Sequence, residues 1–267
     1  MKKKVLSILL SAAMVATMVS GCGSKDEGSS SADSTDKTEA SSDDAAADAD
    51  ATYEGTIKIG VVGPFSGSSA MVGDTEKKGV ELAAKQINEN GGINGMTIEL
   101  IEEDDQQDPK TAVSAINKLV SSDEVVAAVG TVNSSCTLAM MDVTENNEIP
   151  LVTPISSGVA ITDPSNSYIV RLQASDKLQA KAITEYAIND RGYKNIAVMY
   201  QNDDFGAGGK DVVVETLKDA GIEPLAVEAF DSSATDMSAQ LLKIKDLNPE
   251  AIIMWTMYGC GATIAKQ

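Results

Sequence analysis

The sequence predicts an α/β fold made of two doubly wound parallel sheets in series, the second left incomplete at Gln267. Three observations carry this reading. From Thr56 onward, short apolar runs of strand length alternate with amphipathic stretches of roughly ten to fifteen residues. Glycines stop the helical stretches, and Ser, Asp or Asp-Pro open them. The 267 residues, 43% of them hydrophobic, are enough for two cores. Strands that alternate with helices form right-handed βαβ units and parallel sheets.

The first 52 residues precede this pattern. Lys2, Lys3 and Lys4 come before the apolar run Val5 to Val19, which is too short to span a bilayer, and Val19-Ser20-Gly21-Cys22 places a cysteine behind small residues. That ending resembles the lipobox of bacterial lipoproteins. The resemblance implies a lipoprotein signal peptide over residues 1–21, and lipidation of Cys22 by acyl chains such as palmitate. The protein would then be lipid-anchored in the bilayer on the extracytoplasmic face of the cell membrane. Residues 22–52 hold the lipidated cysteine and a disordered acidic tether. From Gly23 to Thr52 seven Asp and two Glu stand against two Lys, with no aromatic or large aliphatic residue to build a core.

The first lobe is expected over residues 53–172. Thr56 to Val62 is its first strand, followed by the loop Gly63 to Val72 and a helix with Val80, Ala83, Ala84 and Ile87 inward, stopped at Gly91-Gly92. Met96 to Glu103 is a strand. Asp108-Pro109 opens a helix carrying Ala112, Ala115, Ile116 and Leu119, and Val125 to Val129 is the next strand. A helix follows over Ser134 to Asn146. Ile149 to Thr153 and the short Tyr168 to Leu172 are the last strands of this lobe.

The second lobe, residues 173–267, opens with Ser175 capping a helix to Asp190 that turns Leu178, Ala182, Ile183 and Tyr186 inward. Asn195 to Tyr200 is a strand and Gln201 to Gly208 a loop. A helix over Gly209 to Ala220, a strand-like Pro224 to Phe230 and a helix over Met237 to Leu247 follow. Ala251 to Met257 is the last strand, after which Tyr258-Gly259-Cys260 opens a loop.

Composition removes several functions. The net charge of −19 repels phosphate backbones, so no nucleic acid partner is expected. The absence of histidine removes Ser-His-Asp and Cys-His catalysis and the commonest zinc ligand. Gly60, Gly63 and Gly67 do not form a dinucleotide fingerprint, and no P-loop occurs, so no cofactor is called for. Asp104, Asp105 and Asp108 read as a solvated strand end with Asp108 capping the Pro109 helix, so no metal is expected there. Cys136 and Cys260 fall in different lobes and read as small apolar residues.

In open sheets of this type ligands sit beyond the carboxyl ends of strands, near the switch in strand order. The stretch Val125 to Thr137 is such a place: after Gly130 the chain enters Asn133, Ser134 and Ser135 at a helix start, where free N–H groups and the helix dipole favour an anion such as a carboxylate. The plain alternative is that Ser134 or Ser135 caps its helix. One hydroxyl can cap while neighbouring amides bind, so the two uses are compatible. Ser66, Ser68, Ser69, Ser156 and Ser157 lie at neighbouring strand ends, and Phe205, Trp255 and Tyr258 supply apolar cover from the second lobe.

IKIGVVGPFSG from Ile57 to Gly67, KKGVELAAKQINENGGINGMTIEL from Lys77 to Leu100, DDQQDPKTAVSAINKLV from Asp104 to Val120 and YQNDDFGAGG from Tyr200 to Gly209 resemble, in this order, the type I periplasmic binding proteins. Within them the likeness is to the branched-chain amino acid (Leu/Ile/Val) binding family. The resemblance implies two α/β lobes closing on an amino acid ligand, with the closed form presented to an ABC permease by a monomeric, non-enzymatic protein. It puts Ser134 and Ser135 at the ligand carboxylate, Ser157 with Ile155 and Ser156 at the carboxylate and ammonium, and Phe205 and Tyr258 as second-lobe aromatics. Val72 stands where leucine-binding members carry a tryptophan, and Phe205 lacks the hydroxyl of the tyrosine often found there. Both departures bear on side-chain preference. The family's acidic partner for the ammonium would fall beyond Gln267, and the chain resembles a truncated form. Two other classes share these features. One is a ligand-sensing receptor module of the same fold without transport; the other is a hydrolase acting through Ser134 with a lysine or carboxylate base.

Overall fold

The computed structural model describes residues 54–163 and 167–267. The expected signal peptide, the lipidated Cys22 and the tether lie outside the described residues. Among those described, no helix is long and apolar enough to cross a membrane.

Two parallel sheets organise the chain. The first contains β1 (Thr56–Gly63), β2 (Thr97–Asp104), β3 (Ala127–Gly130), β4 (Leu151–Thr153) and β5 (Ile169–Arg171), in the order β2-β1-β3-β4-β5. The second contains β6 (Ile196–Gln201), β7 (Val227–Phe230) and β8 (Ala251–Trp255), in the order β7-β6-β8. Every recorded strand pair within them is parallel. Strand order reverses between β1 and β3 in the first sheet and between β6 and β8 in the second, so each sheet has a switch point.

Helix α1 (Ala70–Glu89) follows β1, α2 (Pro109–Ser121) follows β2, and α3 (Ser134–Asn146) follows β3. Asp108 caps α2, its carboxylate accepting the Thr111 N–H at 2.8 Å, with Pro109 at the first helical position. Ala112, Ala115, Ile116 and Leu119 are all buried, and the two larger side chains stabilise the first core by about 2 kcal/mol each. Gly60 of β1 lets Leu119 sit down on the sheet, since a Cβ there would lie 2.8 Å from its Cδ1.

Two helical faces differ from expectation. In α1, Val80 and Ala84 do turn inward with Gly73 and Glu76, while Ala83 is exposed and Ile87 is 37% exposed. The roll of α1 is fixed by Gly73, where a Cβ would meet the Pro64 carbonyl oxygen at 2.3 Å. Helix α4 (Asp176–Glu185) with its π-helical extension Tyr186–Asp190 buries Asp176, Ala180, Thr184 and Ala187. Leu178, Ala182, Ile183 and Tyr186 face outward instead. Both stripes have helical period, and the smaller side chains win because α4 packs closely along α5.

Helix α5 spans Asp204–Asp219, five residues earlier than the expected start at Gly209. Asp203 caps it by accepting the Gly206 N–H at 2.8 Å. Two glycines in this first stretch of the helix, Gly206 from the expected loop and Gly209 at the expected helix start, are packing requirements. A Cβ on Gly206 would meet the Gln201 carbonyl oxygen at 1.8 Å, and one on Gly209 would meet the Trp255 Nε1 at 2.1 Å. Helix α6 (Ser238–Asp246) follows β7. Helix α7 (Tyr258–Lys266) stands where a loop was expected. The second sheet has a core on each face: Val198, Val213, Leu217 and Ile253 on one, Met199, Phe230, Met237 and Ile264 on the other.

Candidate ligand-binding cleft

Both switch points open toward the same cavity. It has a volume of about 320 Å³ and is walled by Val72, Val132, Asn133, Ser134, Ile155 and Ser157 on the first-sheet side and by Phe205 and the run Met254 to Tyr258 on the other. Of the eight expected ligand residues, Val72, Ser134, Ile155, Ser157, Phe205 and Tyr258 line it. Ser156 does not. It is 1% exposed and lies beneath the wall, its hydroxyl bonded to the Thr131 carbonyl at 2.7 Å and to the Thr137 hydroxyl at 2.7 Å. Ser135 does not either. It lines a separate polar cavity of about 340 Å³ with Ser68, Gln107, Asp203 and Ser233, and its Oγ accepts the Asp204 N–H at 3.3 Å, a hydrogen bond that joins α3 to the first turn of α5.

The start of α3 is built differently from the serine cap considered above. Asn133 is the cap, its Oδ1 accepting the N–H groups of Ser135 at 3.0 Å and Cys136 at 3.3 Å. Ser134 is thereby free of capping. Its Oγ accepts the Gly158 N–H at 3.1 Å, so the hydroxyl proton can be donated into the cavity. Gly158 must be glycine for this approach, because a Cβ would lie 2.9 Å from that of Ser134. Arg171, at the end of β5, holds the same loop by donating to the carbonyls of Ser157 at 3.2 Å and Gly158 at 2.8 Å. Gly130, with φ +143°, ends β3; a Cβ there would strike the Val62 carbonyl oxygen at 2.0 Å.

The opposite wall turns on Trp255. Its indole lies against Gly209 and its ring sits 6.1 Å from that of Phe205, tilted by 40°. The buried Gln201 amide bonds to Asp203 and to the Met257 N–H, tying the end of β6 to the segment after β8.

One residue of the cavity wall escaped the sequence reading. Asp176, at the first position of α4, lines the cavity at 0% exposure. Neither carboxylate oxygen meets a donor in good hydrogen-bonding geometry, nor does the Trp255 Nε1 meet an acceptor, although the Ser157 hydroxyl and the Trp255 indole lie close enough to Asp176 to favour its ionised form. Burial pushes the Asp176 carboxyl up to about 6, while the nearby Ser157 hydroxyl, Trp255 indole and Arg171 guanidinium act against the shift. An acidic residue in the first turn of a helix reads as a simple dipole partner. The signal that could have found it is its position, five residues beyond the end of β5, among the strand-end loops that face the cleft. The cavity therefore has a helix N-terminus and a serine hydroxyl on one wall, a buried unsatisfied carboxylate on another, and apolar side chains between them. That set matches a small zwitterion with an apolar body.

Two parallel α/β sheets whose switch points share one cavity define a two-lobed binding protein of the periplasmic type. The periplasmic binding protein family matches residues 56–267, and the chain belongs to it, as a type I member of the branched-chain amino acid group. The chain is 34% identical over 190 residues to the leucine-, isoleucine-, valine-, threonine- and alanine-binding protein of Pseudomonas aeruginosa, covering 71% of this chain and 51% of that one. It is 30% identical over 211 residues to an amino acid binding protein of the same organism, covering 79% and 56%. Among solved structures it is similar to the branched-chain amino acid transporter substrate binding protein LivJ of Streptococcus pneumoniae, in complex with isoleucine. That match has a TM-score of 0.70 and 30% identity, over 78% of this chain and 59% of the other. The chain thus spans about half the length of the curated relatives it matches. All three of these relatives are binding proteins by description.

Proposed function

We propose that this protein is the extracytoplasmic solute-binding component of an ABC importer, taking a neutral α-amino acid with an apolar side chain, of the branched-chain class, into the cleft between its lobes. The observation that carries the reading is Asp176, a buried carboxylate that meets no donor in good hydrogen-bonding geometry, in a cavity that also receives the N-terminal end of α3. In this reading the ligand carboxylate takes the Ser134 hydroxyl and the α3 amides, and its ammonium takes Asp176 and Ser157. Both charge-assisted contacts gain strength as water leaves the cleft. The side chain lies among Val72, Ile155, Phe205 and Trp255. Among the described residues Asp176 is the only carboxylate or amine on the cavity wall, so a second charge on the ligand would find no counter-charge there. Lipidation at Cys22 would hold the protein at the membrane, where it would deliver the ligand to the permease.

Isothermal titration calorimetry of the full chain against a panel of amino acids tests this. Leucine, isoleucine or valine are expected to bind with one site per chain, and glutamate and lysine are not. If no neutral amino acid binds, the ligand class is wrong.

A further inference from the structure

A second concavity, larger than the cleft, runs along the outer seam between α4 and α5 with a volume of about 800 Å³. Its floor is apolar, with Val159 from the short 3-10 turn after β4, Ile188 from the extension of α4, and Ala207 and Val212 from α5. Its α5 rim is acidic. Asp211, Glu215 and Asp219 recur at intervals of four, with Asp204 at the near end, and all four are exposed. The cations on the α4 side already have partners, since Lys177 bonds Asp163 at 2.9 Å and also feels Glu215 across the groove, and Lys181 lies 3.8 Å from Glu185. Lys210 pairs with Asp211 alone among the rim carboxylates. The lining as a whole carries six carboxylates against two lysines.

From these features we infer that the α4–α5 seam is a docking groove for a basic amphipathic helix of a partner protein. Three properties select that occupant. The 16 residues of α5 give a groove about 24 Å long, the length of a helix of equal residue number. Carboxylates spaced four apart along one helix face match Lys or Arg spaced four apart on another. An apolar floor between charged walls takes the apolar stripe of such a helix, which a polyamine or an inorganic cation does not have. The groove also spans both lobes. A Cβ on Gly208 of α5 would lie 3.9 Å from Val159, so the floor is continuous between them.

Biolayer interferometry with an immobilised synthetic 15-residue peptide, Lys at every fourth position and Leu on the adjoining stripe, tests the inference on the full chain. Micromolar binding is expected, weakening at least tenfold between 50 and 300 mM salt. The Asp211→Lys/Glu215→Lys variant should bind at least tenfold more weakly, and Val212→Asp should also lose binding. The Glu89→Lys/Glu99→Lys variant changes the net charge equally on α1 and β2, far from the groove, and should bind as the parent does. Circular dichroism establishes that each variant is folded. Absence of binding at low salt overturns the inference, and so does equal weakening by both charge reversals, which would mean diffuse attraction only. Self-association of the chain that Asp211→Lys/Glu215→Lys abolishes would also overturn it, in favour of a second copy of the chain.

Discussion

Among the described residues each lobe buries one carboxyl group that meets no donor in good hydrogen-bonding geometry: Glu76 on α1 in the first and Asp176 on α4 in the second. They are 5% and 0% exposed. What they face is different. Glu76 packs under the end of β1, near Gly63 and the buried Asp105, and lines none of the cavities described above. Burial first, and then the Asp105 charge, push its carboxyl up to about 8, so near neutral pH it is held mostly protonated. Asp176 faces the cleft, with Arg171, Ser157 and the Trp255 indole around it. Burial alone therefore does not set what a carboxyl is able to meet. A carboxyl that opens on a cavity can be completed by a cation from outside, whereas one enclosed by its own fold can only take up a proton.

The largest effect that would break this contrast is on ligand affinity. Asp176→Asn should weaken binding of the amino acid by about a hundredfold or more, as truncating one partner of a buried charge pair costs about 2–5 kcal/mol. Glu76→Gln should leave the same affinity unchanged in calorimetry. If the two variants behave alike, the contrast fails.

Next in size is stability. Glu76 ionises near its ordinary 4.5 in the unfolded chain and near 8 in the folded one. Its neutral burial is therefore tolerated fully below 4.5, and stability falls as the pH rises toward and through 8. Glu76→Gln should be more stable than the parent at pH 9 by roughly 2 kcal/mol, since the buried amide retains part of the desolvation penalty. Thermal unfolding should show a gain of several degrees at pH 9 that vanishes at pH 4.5.

The pH dependence of binding sharpens the comparison further. In the proposed site the ligand ammonium needs the ionised form of Asp176, so affinity should be full above about 6 and fall below it, approaching tenfold per pH unit once the carboxyl is protonated. Asp176→Asn should abolish that slope. The smallest expected change belongs to Ser135. Ser135→Ala removes the bond to the Asp204 N–H that links the lobes, and should cost about 0.5–1.5 kcal/mol of apparent affinity, a few-fold in Kd, with Ser135→Thr restoring it.

Much of the fold was legible because strands and buried helix faces repeat at different periods. The stripe Ala112, Ala115, Ile116 and Leu119 of α2 was readable because only one face of that helix is apolar. Helix α4 carries two candidate stripes of equal period, and the choice between them is made by the approach of α5, which no local pattern contains. The early start of α5 was hidden for a similar reason. Gly206 looks like a loop residue, and Gly209 like the helix start, until the Gln201 carbonyl and the Trp255 ring are placed against them. Ser134, Ser157 and Phe205 line the cleft, and strand-end position and resemblance together point to that place. Ser135, three residues before Leu138 on the same helix, turns out to look across to α5 instead. Asp176 was missed because its burial depends on Trp255, nearly eighty positions away in the chain.

Trp255 has one more consequence. It is the only tryptophan in the chain, and its ring lies on the cleft wall between Gly209, Phe205 and Asp176. An indole with an unbonded N–H beside a carboxylate has an emission that follows the local polarity and the charge of that carboxylate. Occupancy of the cleft will therefore be readable as a change in intrinsic fluorescence from a single known site, with no label attached.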